Sequence, residues 1–292
     1  MSKVKTTLPR LPARVESSLA AVTNRISSIT EKDFGEHVLF HPSVHILKRR
    51  GKYLRPALVL LGAHAIGEDP ARFVDLAIAA ELFHVSSLIH DDIIDGDKTR
   101  RGVKAVHVKY GTESAILAGD ALIAKAIGMS ADYGKDVLRS MSKAAMDMCA
   151  GEALDSHYQK RGKVPTVSEY TRLAKLKSAS LISTCCSIAA IYHEDKSAKN
   201  LGVFGENMGI AFQMRDDILD YGSETGVFGR GKKVRFHPNI VSSILNDAGI
   251  SGSDAVSRAK ALNNDIINTA VSAIKDRKTF AMLSSMAEKI RV

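Results

Sequence analysis

The chain has 292 residues and a formal net charge of +9 at pH 7, and 45% of its residues are hydrophobic. Three cysteines are too few for a disulfide framework. Cys149, Cys185 and Cys186 also lack C-x-x-C metal spacing, which predicts a protein of the reducing cytoplasm. Trp is absent and aromatic residues make up only 5% of the chain, so the composition favours helices over a β-sandwich.

Other classes of protein are excluded by what the sequence lacks. No apolar segment follows Lys3 and Lys5, so we expect no signal peptide. No stretch approaches about 18 consecutive apolar residues, so we expect no transmembrane segment. The positive charge could attract nucleic acid, but no helix-turn-helix, zinc or RNA-binding signature is present, and we expect no nucleic-acid partner.

Gly and Pro divide most of the chain into segments with helical periodicity: residues 71–95, 112–129, 135–158, 167–192 and 199–221. Residues 76–89 are apolar on nearly every side, which predicts a buried central helix. We predict that residues 1–14 form a basic, mobile tail. Because no linker or short repeat interrupts the remainder, residues 15–292 are expected to form a single all-helical domain.

Two acidic motifs with the same spacing, D-D-x-x-D, end apolar stretches far apart in the chain: Asp91-Asp92-Ile93-Ile94-Asp95 and Asp216-Asp217-Ile218-Leu219-Asp220. Residues four apart share a helix face with about 5–6 Å between their Cβ atoms, so the outer aspartates of each motif converge. A single motif of this kind is usually a solvated acidic patch, but two on apolar helices indicate carboxylates that point into a site. Because Mg²⁺ prefers a few carboxylates together with substrate phosphates, the pair predicts two faces across a cavity that bind a diphosphate through magnesium.

Basic residues accompany these motifs. Lys52 and Arg55 lie three residues apart, Arg100 and Arg101 follow the first motif, and Lys177-Ser178 interrupts an apolar helix. Arginine binds phosphate oxygens in a bidentate manner, and lysine provides a point charge. Each group alone is more often a solvated surface, but together they suit two diphosphates, one held through metal and one held directly.

His84 lies seven residues before the first motif, and a histidine in such a position is usually a hydrogen-bonded core residue. Near Lys52 and Arg55 it could instead donate to a phosphate.

The combination of motifs closely resembles the trans-isoprenyl diphosphate synthases, the polyprenyl synthase family, from about Arg50 to the C-terminus. Within that family it is most like the geranylgeranyl diphosphate synthases. The resemblance rests on the following motifs: Gly51-Lys52-x-x-Arg55-Pro56, His84, Leu88-Ile89-His90 with the first acidic motif, Arg100-Arg101-Gly102, Gly119-Asp120, Lys177-Ser178, and Phe212-Gln213-Met214-Arg215 with the second. It implies a bundle of long helices around a deep central cavity, usually a homodimer, in an enzyme that joins an allylic diphosphate to isopentenyl diphosphate.

The resemblance also implies roles for individual residues. Up to three Mg²⁺ ions would be bound by Asp91, Asp95 and Asp216, with Asp92, Asp217 and Asp220 supporting that site. Arg100 and Lys177 would contact the allylic diphosphate. Isopentenyl diphosphate would be held by Lys52, Arg55, His84 and Arg101, while Ser178, where the family usually has Thr, and Gln213 would line the reacting centre.

The loop after the second motif departs from the family pattern. Residues 221–238 are shorter than the usual loop, and its lysine motifs do not align. Arg230, Lys232 and Lys233 are therefore predicted to replace the usual lysines as phosphate ligands.

Product length should depend on side chains below the first motif. Ser86 and Ser87 lie about one turn deeper and are small, whereas members of the family that make shorter products often carry bulky aromatic residues there. Phe83 lies roughly 12 Å below Asp91 along the helix axis, and either forms the floor or simply packs in the core. We predict a product longer than farnesyl, with the twenty-carbon geranylgeranyl chain favoured.

Three alternatives remain open at this stage. The chain could be a longer-chain polyprenyl synthase or a terpene cyclase or squalene-type enzyme, which tends to lack an isopentenyl diphosphate site. It could also be a non-catalytic regulatory subunit, although such partners often lose one acidic motif and this chain keeps both.

Overall fold

The computed structural model describes residues 10–49, 51–224, 238–274 and 280–292, without the side chains of residues 222–224. Helices dominate these residues, and strands are confined to one short hairpin, which confirms the predicted all-α class. The chain divides into two compact units. Of the described residues, those up to 143 and those from 185 to 198 form the N-terminal unit, and those from 144 to 184 and from 199 onwards form the C-terminal unit. The prediction of a single domain, like the mobility of the N-terminal tail, stays a prediction.

The N-terminal unit is built mainly on six helices and one hairpin. Its elements are α1 (Ala13–Ser27), α2 (His37–Leu47), α3 (Leu54–Ala65), α4 (Val74–Asp95), β1 (Thr99–Arg100), β2 (Val103–Lys104), α5 (Val106–Tyr110) and α6 (Thr112–Ala131). Short 3₁₀ turns cover Glu31–Asp33 and Pro70–Phe73. Because α1 begins at Ala13, the last two residues of the predicted tail are helical.

Among the remaining helices, α7 (Lys135–Arg161) and α9 (Ser180–Tyr192) each contribute several residues to both units. The C-terminal unit also contains α8 (Val167–Ala174), α10 (Ala198–Glu224), α11 (Ile240–Ala248), α12 (Gly252–Ile274) and α13 (Ala281–Glu288), and α10 contributes only its first residue to the N-terminal unit. Its core joins Tyr170 on α8 to Met214 and Ile218 on α10 and to apolar residues of α11 and α12. The predicted helix over residues 167–192 is interrupted by a π-helical turn, Lys175–Ala179, between α8 and α9.

Helix α4 is the buried helix that the apolar run predicted. Leu76, Leu82 and Val85 are fully buried, and the helix packs against α3 on one side and α6 on another. Burying a leucine or valine side chain stabilises the fold by about 1.5–3 kcal/mol, so α4 anchors the unit. Its C-terminal end carries the first acidic motif, which is thereby fixed to a largely buried helix of the N-terminal unit.

The hairpin after α4 turns on two residues with positive φ, Arg101 at 49° and Gly102 at 79°. Arg100 pairs with Val103 across this turn. Positive φ at both central residues is the requirement of a tight two-residue hairpin, and Gly adopts it without steric cost. The two neighbouring arginines pair with different carboxylates, Arg100 with Asp92 and Asp97 and Arg101 with Glu81.

Among the residues that the structure describes, three helical segments are long and apolar enough, by length and composition alone, to cross a membrane: Pro70–Asp95, Thr112–Ala131 and Val167–Tyr192. The length of the consecutive apolar runs in the sequence did not predict these three segments. Within the protein, 72% and 61% of the most apolar window of the first and third are buried, but only 33% of the second, which is α6. The expected absence of a transmembrane segment therefore stays a prediction, and α6 is the least covered of the three.

Candidate active-site residues

The first acidic motif presents its aspartates in two directions. Asp91 and Asp95 are half-buried on one face of α4, whereas Asp92 is buried. Arg100 donates from Nε to Asp92 Oδ1 at 2.7 Å, and its Nη2 also contacts that oxygen and Asp97 Oδ2 at 3.0 Å. Burial raises the pKa of the Asp92 carboxyl, and the Arg100 guanidinium opposes that shift. Asp92 therefore serves as the anchor for Arg100.

Arg101 is tied to the interior of the same unit. Its guanidinium donates to Glu81 Oε1 at 3.2 Å and to the carbonyl oxygens of Arg49 at 3.0 Å and Ile46 at 3.4 Å. Glu81 is 2% exposed on the buried face of α4, so the ion pair offsets the desolvation of its carboxylate. These bonds hold Arg101 in a left-handed conformation that a non-glycine residue adopts at a cost of about 1–3 kcal/mol.

Arg55 and Arg101 place two cations near Glu81, and His84 lies near both arginines. Arg55 Nε is buried without a hydrogen-bond partner. Burial lowers the pKa of Arg55 although Glu81 opposes it. Burial, with the charges of Arg55 and Arg101, keeps the pKa of His84 well below its usual value. A neutral His84 can still donate one N–H to an anion, and the orphaned Arg55 Nε requires an acceptor.

Lys52 is exposed in the segment before α3, and that segment lies against Arg101. A Cβ atom on Gly51 would come within 3.0 Å of Arg101 Nη2. Tyr53, two residues after Gly51, has a φ of 49° at the start of α3. The structure therefore brings together three of the four residues predicted for isopentenyl diphosphate, Arg55, His84 and Arg101, and places Lys52 exposed on the neighbouring loop.

The residues predicted to set product length lie on α4 below the first motif. Phe83 is 3% exposed and Ser86 is 1% exposed, whereas Ser87 is half-buried. The hydroxyl of Ser87 donates to the His84 carbonyl oxygen at 2.9 Å, so its polar group is satisfied within the helix. Ser87 is therefore the less enclosed of the two serines.

The second acidic motif, on α10 in the C-terminal unit, holds its inner aspartate through neutral donors. Tyr170 donates its hydroxyl to Asp217 Oδ2 at 2.6 Å, and Gln213 donates from Nε2 to Asp217 Oδ1 at 2.9 Å. Burial raises the pKa of Asp217 to about 7 although both hydrogen bonds oppose it. Asp216 is half-buried, with Oδ1 at 3.6 Å from Nη1 of the buried Arg215, and Asp220 is exposed.

A hydrogen-bonded chain connects this motif to the π turn. Ser178 donates its hydroxyl to Gln213 Oε1 at 2.6 Å, and Gln213 in turn contacts Asp217. The structure thus brings Ser178, Gln213 and the second motif together. The resemblance implies that Ser178 and Gln213 line the reacting centre, and that role stays a prediction. The amide of Gln213 is fixed at both ends, so its orientation is set by the two neighbours.

Lys177 lies in the π turn and contacts two carboxylates of α7. Its Nζ is 2.8 Å from Glu152 Oε2 and also contacts Asp155 Oδ2. The carboxylates raise the pKa of Lys177 even though burial alone would lower it. Lys177 is therefore a charged group held in place by two carboxylates within the C-terminal unit. Its contact with a diphosphate stays a prediction.

Two glycines allow helices to approach the π turn closely. A Cβ atom on Gly151 of α7 would lie 2.3 Å from the Lys177 nitrogen, and one on Gly209 of α10 would lie 2.5 Å from the Ala179 Cα. Both distances are shorter than real Cβ contacts allow. The π geometry, which often occurs at functional sites, thus depends on small residues on two neighbouring helices.

Several supporting residues were missed by sequence reasoning: Glu81, Glu152, Asp155 and Tyr170. Glu81 had a usable signal, because a charge within the apolar run of residues 76–89 must be paired. Tyr170 had none, since its partner Asp217 lies 47 residues away. Arg230, Lys232 and Lys233, the predicted phosphate ligands after the second motif, lie outside the described residues, and their role stays a prediction.

The donor chemistry of each motif fits a hard divalent cation. Asp91 and Asp95 supply carboxylate oxygens from one face of α4, and Asp216 and Asp220 do so from α10. Asp92 and Asp217 have oxygens already bonded to Arg100 or to Tyr170 and Gln213. This geometry supports the predicted division into ligating outer aspartates and supporting inner ones, and the roles themselves stay predictions.

Comparison with known proteins identifies similar chains. The sequence profile of the Polyprenyl synthetase family matches residues 36–237. Geranylgeranyl pyrophosphate synthase of Geoglobus acetivorans is 40% identical over 202 residues, covering 66% of this chain and 61% of that protein. Geranylfarnesyl diphosphate synthase of Aeropyrum pernix is 40% identical over 201 residues, covering 64% and 63%. The chain thus spans less than two thirds of the length of these curated relatives.

A similar fold is found among solved structures. The crystal structure of geranylgeranyl pyrophosphate synthetase from Pyrococcus horikoshii Ot3 aligns with a TM-score of 0.83 and 28% sequence identity. The alignment covers 95% of this chain and 97% of the other, so the likeness extends beyond the profile match, which ends at residue 237.

Proposed function

The chain belongs to the polyprenyl synthetase family, and we propose that it is a Mg²⁺-dependent prenyltransferase that condenses an allylic diphosphate with isopentenyl diphosphate. The observation that carries this proposal is the pair of D-D-x-x-D motifs. In each, the inner aspartate is hydrogen-bonded to a supporting side chain, Asp92 to Arg100 and Asp217 to Tyr170 and Gln213. A purely decorative acidic patch would not need such supports.

In the N-terminal unit, Asp91 and Asp95 would hold metal, and Arg100 would contact the diphosphate of the allylic substrate. Bound Mg²⁺ would neutralise the charge that develops on the departing diphosphate. Asp92 fixes the guanidinium of Arg100, so the donor is already oriented before substrate binds. Preorganised donors of this kind act most strongly on charge that builds in the transition state.

Isopentenyl diphosphate would bind to the guanidinium groups of Arg55 and Arg101 and to the neutral imidazole of His84, with Lys52 joining from the adjacent loop. The unpaired Arg55 Nε supports this assignment, because a phosphate oxygen would satisfy it. Glu81 partly balances the charge of the two guanidinium groups, which keeps Arg101 in place without neutralising both.

In the C-terminal unit, Asp216 would bind metal and Lys177 would contact the allylic diphosphate. Ser178 and Gln213 would line the reacting centre, where their hydrogen bond sets the position of the amide. An allylic cation would be attacked by the double bond of isopentenyl diphosphate, with the proton lost to released diphosphate. Water must be excluded during this step, since it would quench the cation.

The product is proposed to be geranylgeranyl diphosphate, with a longer chain as the alternative. Small side chains at Ser86 and Ser87 support a product longer than farnesyl. The two similar relatives are named for geranylgeranyl and geranylfarnesyl products, so both lengths are represented among them.

Replacing Ser87 with Phe tests this assignment of product length. We expect S87F to shorten the main product, because the larger ring would occupy the half-buried position one turn below Asp91. The matched control is Ser142→Phe, which adds the same ring at an exposed position of α7. Products would be dephosphorylated and sized by chromatography. An unchanged distribution in S87F would reject the floor assignment.

Direct assay of the full-length protein tests the reaction class. The protein would be incubated with Mg²⁺, isopentenyl diphosphate and each allylic starter, and the alcohols sized after dephosphorylation. We expect chain elongation that requires both isopentenyl diphosphate and metal. Turnover of an allylic diphosphate without isopentenyl diphosphate would instead indicate a cyclase or squalene-type enzyme.

A non-catalytic regulatory subunit remains the second candidate, favoured by the short loop over residues 221–238. The two candidates differ in a simple observation. A regulatory subunit would show no elongation alone and would stimulate an added synthase. Retention of both acidic motifs with their supporting residues favours the enzyme.

We also propose that the chain forms a homodimer through α6. Ile116, Leu117 and Ile127 are 45%, 58% and 40% exposed along this helix. A second copy would cover this apolar face. Leu117→Lys should yield a monomer by light scattering coupled to size-exclusion chromatography. Elution of the variant as an unchanged dimer would place the interface elsewhere.

A cytoplasmic location is proposed from the cysteines. Cys149 is exposed and the neighbouring Cys185 and Cys186 are buried, and all three are free thiols. Free thiols persist in a reducing compartment. Fractionation of cells producing a tagged protein would test this, and recovery from an oxidising compartment would contradict it.

A further inference from the structure

A cluster unrelated to the acidic motifs lies at the start of α2. Glu31, His37 and His41 each offer one ligand atom, and these atoms all lie within 4.8 Å of one another. His37 Nδ1 is 2.7 Å from Glu31 Oε1, and His41 Nε2 is 3.9 Å from the same oxygen. The two histidines are four residues apart on α2, so they share one face of the helix.

The carboxylate of this cluster is carried on a fixed turn. Asp33 closes a capping box with Thr30, and Lys125 of α6 donates to Asp33 Oδ1 at 3.1 Å. These contacts are made by the carboxylate of Asp33, which stabilises the turn. The carboxylate of Glu31 instead lies close to the imidazoles of His37 and His41.

The rings are also oriented by their surroundings. His37 and His41 meet edge to face with ring centroids 4.4 Å apart, and Phe40 packs against His41 at 5.1 Å. Phe34, which follows the turn, packs against Phe40 at 6.3 Å. Turn and helix are thus joined by an aromatic contact that keeps the three polar groups close.

We propose that Glu31, His37 and His41 form a binding site for Zn²⁺ or a similar transition-metal cation. Two imidazoles and one carboxylate are a donor set that suits zinc, with a fourth position left to water. Around a tetrahedral zinc the ligand atoms are about 3.3 Å apart, and the observed separations from Glu31 Oε1 of 2.7 and 3.9 Å bracket that value. Small side-chain rotations are enough to form the site.

The exposure of the ligands sets the character of the site. Glu31, His37 and His41 are 52%, 66% and 47% exposed, so the ion would exchange with solvent. It would join the turn before α2 to the first two turns of that helix, and so stabilise this part of the N-terminal unit. Imidazole ligands select against Mg²⁺, which separates this site from the carboxylate motifs.

The test is calorimetric titration of the metal-free 292-residue protein with ZnCl₂ in the presence of excess Mg²⁺. The magnesium is added to compete with zinc for the aspartate motifs, and a Cys149→Ser background removes the exposed thiol as a competing ligand. We expect one zinc site whose affinity falls at least about tenfold in His37→Gln and in His41→Gln. The matched control, His157→Gln, alters an exposed histidine of α7 and should bind as the parent does.

Two further measurements keep the proposal open to refutation. Co²⁺ in place of zinc should give visible absorption bands of tetrahedral coordination in the parent and not in the double variant. Zinc should also raise the melting temperature of the parent but not of His37→Gln/His41→Gln, because binding only to the folded state stabilises it. Equal zinc binding by the parent and the double variant, or no binding by the parent, would overturn the site.

Discussion

The two acidic motifs share a spacing but hold their inner aspartates by different means. In the N-terminal unit, Asp92 is bonded to the charged guanidinium of Arg100. In the C-terminal unit, Asp217 is bonded to the neutral hydroxyl of Tyr170 and the neutral amide of Gln213. An identical pattern in sequence therefore does not make the two motifs physically equivalent.

The difference has electrostatic consequences. Asp92 and Arg100 form an ion pair in which the two charges balance each other, so the first motif has one cation bonded to its inner aspartate. Asp217 has no such counter-charge among its hydrogen-bond donors, and burial raises its pKa to about 7. The first motif is thus a charged support for an arginine that would contact diphosphate. The second is a neutral, hydrogen-bonded support for Gln213 and, through it, Ser178.

Neutralising an outer aspartate in each motif should produce the largest effect. We expect Asp91→Asn and Asp216→Asn each to lower kcat/KM by about 10²–10³-fold, because both would weaken charge stabilisation of the leaving diphosphate. Steady-state assays with the allylic diphosphate varied would measure this. If the motifs serve the same substrate, both variants should respond to added Mg²⁺ in the same way.

The control for this comparison is Asp136→Asn, an exposed acid on α7 that lies in neither motif. It should retain parental kinetics. Full activity in either motif variant would remove that motif from the reaction. A large loss in one and none in the other would indicate that the two units contribute unequally to catalysis.

Much of this comparison could be predicted from the sequence. The motifs, the helices that carry them and the two arginines after the first motif follow from short-range patterns, and the structure places them on α4, α10 and the hairpin. A spacing of four residues on a helix needs no tertiary information to define a face. The outer aspartates could therefore be separated from the inner ones at once.

The supports could not be predicted, since they depend on contacts between distant parts of the chain. Asp155 lies 22 residues from Lys177, and nothing in the local pattern connects them. The positive φ of Tyr53 and Arg101 is also invisible in the sequence, because tertiary contacts maintain it against local preference. The π turn likewise reads as uninterrupted helix until Gly151 and Gly209 are seen to flank it.

Replacing the inner aspartates should give an intermediate effect that separates the two supports. We expect Asp92→Asn to lower the free energy of unfolding by about 2–3 kcal/mol, because it leaves a largely buried guanidinium without its full counter-charge. Asp217→Asn should change it by no more than about 1 kcal/mol, since an amide can still accept from one of two neutral donors. Urea unfolding of metal-free protein at slightly alkaline pH would measure both.

Asp97→Asn provides the control for the first of these variants. Asp97 is the second carboxylate partner of Arg100, but its side chain is 54% exposed, so its loss should cost less than about 1 kcal/mol. Equal destabilisation by Asp92→Asn and Asp217→Asn would show that the nature of the donor does not matter.

The smallest expected effect is an opposite response of the two units to pH. His84 has a lowered pKa, so the unfolded chain takes up a proton below about pH 6.5 that the folded chain does not, and stability is lost as pH falls. Asp217 has a pKa raised to about 7, so the folded chain retains a proton that the unfolded chain releases, and stability is lost as pH rises from about 4 towards 7.

Each of these two pH dependences has a slope of at most about 1.4 kcal/mol per pH unit for one proton. The test measures the free energies of unfolding of the parent, His84→Gln and Asp217→Asn across this pH range in metal-free buffer. The difference between each variant and the parent should change with pH in opposite directions for the two variants. Parallel profiles for the two variants would mean that burial does not shift the pKa of His84 and Asp217 in opposite directions. The proposed electrostatic difference between the cationic support in one unit and the neutral support in the other would then be wrong.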